Sequence, residues 1–167
     1  RTQMRIADAF YAHWKKGLAL LVVFLTAVLG YGLWSSGIEA SQKEASKIMA
    51  ALDRKMPAVN LIQLQGGIGL DDPTDQKRTK LLAGIAKKYD EIAQSNGGTA
   101  SLEASVKAGD TWLRAGEPAN AKLSYEYVLE KKSTGLFAVA AHNGMASLAL
   151  SSGNHPIAIE HYQAVAE

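Results

Sequence analysis

Four histidines, His13, His142, His155 and His161, are the side chains best suited to ligate a metal or move a proton near neutral pH. Their spacing does not assemble a zinc site, because no two combine with a carboxylate in a recognisable ligand pattern. His142 reads as a helix-face residue. His155 sits in a turn before Pro156, with His161 following at helical spacing. Asp71, Asp72 and Asp75 suggest calcium, but the EF-hand spacing and its terminal Glu are missing. Gly66-Gly67-x-Gly69 suggests a phosphate loop, but no Lys-Ser/Thr follows and no strand precedes it. Ser151-Ser152-Gly153 lacks the strand-turn-helix context of a nucleophile elbow. There is no cysteine, which removes disulfides and thiol chemistry. The expectation is a non-enzymatic chain with no catalytic residue, no metal and no cofactor.

The elements around these residues are helical. Alanine is frequent, prolines number four, and no long Val/Ile/Thr alternation marks a sheet. Gly17 to Trp34 is eighteen residues without a charge. At helical rise it spans about 27 Å, close to a bilayer's hydrocarbon core. Phe10, Tyr11 and Trp14 flank one end, and Tyr31 and Trp34 the other, as rings at membrane interfaces do. A cleaved signal peptide shares the basic start and apolar core, but this core is long and follows an aromatic-rich arm. Lys15 and Lys16 precede the run, whereas Ser35 to Glu39 follow it, so the Lys/Arg bias sets the N-terminus in the cytoplasm.

Of 18 basic and 16 acidic residues, four basic and one acidic fall in residues 1–34, leaving 14 against 15. The domain beyond the apolar run is therefore near neutral and a poor match to nucleic acid. Thr26 and Gly30 form a small-xxx-small pair that would let a partner helix approach in the membrane.

The expected organisation is a basic arm (1–16), a transmembrane helix (17–36), a linking helix (37–56), a Gly-rich insertion loop (57–75) and a helical region (76–167). Gly37 is the only breaker between the first two helices, and Pro57 is expected to end the second. Asp72 and Pro73 suit the start of the next helix, which carries an apolar stripe from Leu81 to Ile92. Asn96-Gly97-Gly98 stops it, with Thr99 as the next cap.

The last third repeats. Gly116, Ala121, Tyr125 and Val128 are echoed by Gly153, Ala158, Tyr162 and Val165, each 37 residues on. A helix precedes each glycine, near Ser101–Ala115 and Phe137–Ser152, and another follows it. Tyr89 and Ile92 lie 36 residues before Tyr125 and Val128, marking an earlier, degenerate unit.

This pattern resembles the tetratricopeptide repeat, whose period is near 34. Gly109 and Ala146 occupy the small crossing position, and Trp112 the large aromatic of the first helix, which becomes Ala149 in the next unit. The terminal proline of the family's unit is absent, and Ser133-Thr134-Gly135 supplies the break instead. The resemblance implies an all-α fold: one N-terminal transmembrane helix followed by a tetratricopeptide-like helical-hairpin solenoid.

It also implies a protein-binding groove lined by first helices, at Val106, Asp110, Leu113 and Arg114 in one unit and Asn143, Ser147 and Leu150 in the next. A groove that grips a terminal carboxylate uses Lys and Asn there, and only Asn143 and Arg114 approach that chemistry. One anchor followed by degenerate repeats is similar to the ancillary subunit family of the bacterial Sec translocon. That resemblance implies an inner-membrane adaptor whose partners are a membrane protein complex and periplasmic proteins or nascent chains. The alternative is a structural accessory subunit fixed in a large membrane complex through Thr26 and Gly30.

Overall fold

A computed structural model describes residues 2–59 and 73–166, with side chains described for residues 21–31, 35–59 and 75–166. Every regular element among them is helical: α1 (Thr2–Asp53), α2 (Pro73–Ser95), α3 (Gly98–Arg114), α4 (Pro118–Lys131), α5 (Leu136–Ser151) and α6 (His155–Ala166). The Gly-rich stretch, with its Asp71, Asp72 and three glycines, lies outside the described residues, apart from one helical turn over residues 56–59.

The chain divides into two units, Arg1–Ala40 and Ser41–Glu167. The first holds the one helix among the described residues that is long and apolar enough to cross a membrane. Every described side chain from Leu21 to Tyr31 is exposed. Such a face, apolar all round, is favourable in lipid and not in water. Gly37 does not break α1, because one helical glycine costs only about 1 kcal/mol. The helix ends at Asp53, before Pro57 rather than at it.

In the second unit, successive helices pack as neighbours: α2 on α3, α3 on α4, α4 on α5 and α5 on α6, with a further contact from α3 to α5. Ala45, Met49 and Leu52 of α1 bury against Leu82, Ile85 and Tyr89 of α2 and Ala104 and Ala108 of α3. Their i, i+4, i+7 spacing places all three on one stripe. Asp53 closes this layer. It accepts hydrogen bonds from the Tyr89 hydroxyl at 2.6 Å and the Lys107 ammonium at 2.6 Å. Burial pushes its carboxyl up, but those two bonds and the ammonium charge outweigh it and hold the group below its ordinary value.

The two turns flagged by the repeat share their closing bonds, the first having one more, from Ala115 N–H to Trp112 O at 3.1 Å. Gly116 N–H donates to Leu113 O at 3.0 Å, and Gly153 N–H to Leu150 O at 3.0 Å. Glu117 N–H donates to Trp112 O at 2.9 Å, and Asn154 N–H to Ala149 O at 2.8 Å. Gly116 and Gly153 have φ of 75° and 74°, a left-handed backbone that favours glycine. Gly98 and Gly135, also 37 apart, share this property with φ of 65° and 91°. Thr99 does not cap α3: Gly97 stands at the N-cap with no side-chain bond.

The second core layer is built on Tyr125, which is fully buried with Ala121, Val128 and Ala141. Its ring lies against Gly109 of α3 and Gly144 of α5, and a Cβ on either would collide with it. The expected crossing residue Ala146 is fully buried with Ala149 and with Ala158 of α6, the second helix of its unit. Gly144 makes the close approach to Tyr125.

Candidate partner-binding surface

The groove positions on α3 and α5 are register mates: Val106, Asp110 and Leu113 lie 37 before Asn143, Ser147 and Leu150. The structure treats the two sets differently. Val106 and Leu113 are half-buried against the Tyr125 cluster, because α5 packs over α3. The Asp110 carboxylate accepts the Tyr125 hydroxyl at 2.6 Å. Burial of the ring and this bond to a carboxylate both push the Tyr125 hydroxyl above the ordinary phenol range. Arg114 is exposed. On α5, Asn143 and Ser147 are exposed, and the Ser147 hydroxyl donates to Asn143 O at 3.0 Å. Leu150 is 44% exposed. All three α5 positions are thus exposed, while on α3 Asp110 and Arg114 are exposed and Val106 and Leu113 half-buried.

Two clefts lie between second helices. The first, about 200 Å³, runs between α2 and α4 and is lined by Asp90, Ser105, Asn120, Ser124 and Tyr127. It is crossed by polar bonds. Trp112 Nε1–H donates to Asp90 at 2.6 Å, the Ser124 hydroxyl donates to Asp90 at 2.9 Å, and the Ser105 hydroxyl donates to Ser124 O at 2.8 Å. The second, about 640 Å³, runs between α4 and α6 over α5. Pro118, Met145, Leu148 and Ile157 give it apolar walls, and Glu126, Asn154 and His161 supply polar atoms. Only the second has the size usual for a ligand site, about 300–1,000 Å³.

His142 and His161 stand at the register of Ser105 and Ser124, again 37 on. Their Nδ1 atoms are 3.0 Å apart, so one imidazole donates and the other accepts. His142 is therefore not a free helix-face residue. Burial, and then the neighbouring His161, pull its pKa below the ordinary value. Among the described residues no three metal-ligating side chains converge.

Nothing in the one-dimensional pattern pointed to the second cleft, except that Ala149 replaces the large aromatic at the Trp112 position. No protein family, curated protein or solved structure matches the chain.

Proposed function

We propose that the chain is a non-enzymatic, membrane-tethered adaptor of the bacterial inner membrane. Its short arm is cytoplasmic, α1 crosses the bilayer, and tetratricopeptide-like repeats lie in the periplasm. There they present a surface to partners of an inner-membrane machine, with the Sec translocon the first to test. The observation that carries this reading is the shared closing bonds of the Gly116 and Gly153 turns, in a chain that also has an exposed apolar helix. Stacked helical pairs serve generically as binding surfaces, and a tether raises the effective concentration of weak contacts. The orientation rests on Lys15 and Lys16 against a far flank, Ser35 to Glu39, that has no Lys or Arg.

The test is site-specific photocrosslinking in native membranes with probes at Asn143 and Thr26. The adaptor reading expects Asn143 to capture translocon components or secreted clients. A silent Asn143 with a single fixed product at Thr26 would replace it with the structural-subunit reading. One observation suits that rival: Thr26 and Gly30 are both exposed, and the Thr26 hydroxyl donates to Val23 O on its own helix, so this small-residue pair carries no unmet donor toward a neighbouring helix.

A further inference from the structure

The two clefts are lined differently, and one pair of register mates bears on what the second could hold. In the first, the Trp112 ring packs between the two core layers and its indole N–H bonds to Asp90 at the cleft edge. In the second, the register mate of Trp112 is Ala149, which itself lines the cleft. The register mate of Asp90, at the 36-residue offset of Tyr89 and Tyr125, is Glu126, which lines it too. The chain thus keeps a carboxylate, omits the indole, and sets Met145, Leu148 and Ile157 where the earlier register has the smaller or polar Ala108, Thr111 and Asn120. The second cleft holds about 640 Å³ and the first about 200 Å³.

We propose that the cleft between α4, α5 and α6 is a socket for the tryptophan side chain of a partner polypeptide, with Glu126 accepting its indole N–H as Asp90 accepts that of Trp112. This deepens the adaptor reading, on which it rests for the identity of the occupant as a polypeptide. The chemistry is specific. A buried indole needs an acceptor for its single N–H, and a bond to a carboxylate is roughly twice as strong as a neutral one. Met145, Leu148 and Ile157 supply apolar contact, with Met145 adaptable to an aromatic ring. Glu126 is free to turn toward an incoming donor, because its pair with Lys122, at 3.6 Å, is an exposed i, i+4 contact on one helix.

The test is a titration of the full chain, in detergent micelles with ¹³C-methyl methionine, by N-acetyl-tryptophanamide and by N-acetyl-leucinamide. The Met145 methyl resonance is expected to shift saturably with the tryptophan probe while Met49 stays still. Binding should weaken about tenfold for the leucine probe and for Glu126→Gln, the loss of one charged hydrogen bond. Ala149→Trp should supply the missing indole in cis and abolish the shift. Should that variant misfold, Glu126→Gln alone carries the test. An unmoved Met145, equal binding of both probes, or self-association that Ala149→Trp removes would each overturn the proposal. Failure here with Asn143 crosslinks intact sinks the socket alone, and a silent Asn143 with a normal titration sinks the adaptor alone.

Discussion

Tyr125 and Gly144 form a ring-on-backbone contact: the absence of a side chain on α5 is what admits the aromatic ring of α4. The ring also meets Gly109, where a Cβ would lie 2.5 Å from Cε1. An aromatic held between two glycines, with its hydroxyl on Asp110, fixes three helices at one point.

Gly144→Ala should therefore destabilise the domain by about 1–3 kcal/mol through overpacking. In a Tyr125→Ala background the sign should reverse, because alanine then gains helix propensity of about 1 kcal/mol with nothing to strike. Gly84→Ala in α2, where a Cβ meets nothing within 4 Å, should stabilise by about the same amount. Chemical denaturation of the four variants checks all three signs.

Tyr125 and Tyr162 are register mates with unequal burial, 0% and 45% exposed. Tyr125→Ala is expected to cost about 3–5 kcal/mol, as large-to-small changes in a core do. Tyr162→Ala should cost markedly less. Equal losses in thermal unfolding would show that α6 is packed in solution as tightly as α4.

The Asp53 carboxyl is held below its ordinary 3.8 by Lys107 and Tyr89 against the opposing effect of burial. Its contribution is present above that pH and is lost as the pH falls through the depressed folded value. Asp53→Asn should lower stability at neutral pH and flatten the acid limb of the stability profile. The effect is modest, because both groups of the ion pair are partly exposed.

His142 works in the opposite range. Its folded pKa lies below the ordinary 6.5, so the unfolded chain takes up the proton more readily. Stability should fall as the pH drops below 6.5 and stay flat above it. His142→Gln should flatten that slope, measured by denaturant midpoints at neutral and mildly acid pH.

The helical class and the apolar N-terminal helix were legible from composition and from the uncharged run at residues 17–34. The turns at Gly116 and Gly153 were legible because a left-handed backbone restricts the residue type there. Gly98 and Gly135 carry the same constraint at the same spacing. Each was read as a helix break, but not as one of a repeated pair, because their flanking residues, Asn96-Gly97 and Ser133-Thr134, share no motif. Gly144 was invisible for a different reason. Its register mate is Lys107, so its smallness answers to the Tyr125 ring from a neighbouring helix, not to the repeat. The half-burial of Val106 and Leu113 against the Tyr125 cluster is a tertiary event that spacing along one helix does not encode.

The Asp53 clamp also has a temporal side. Its partners Tyr89 and Lys107 follow it by 36 and 54 residues. At about 5–20 residues per second, a ribosome delivers them roughly 2 to 11 seconds after Asp53 itself. Throughout that interval Ala45, Met49 and Leu52 have no helix to cover them. A pause in translation anywhere between those positions lengthens the time for which a nascent apolar stripe is open to chaperones and proteases.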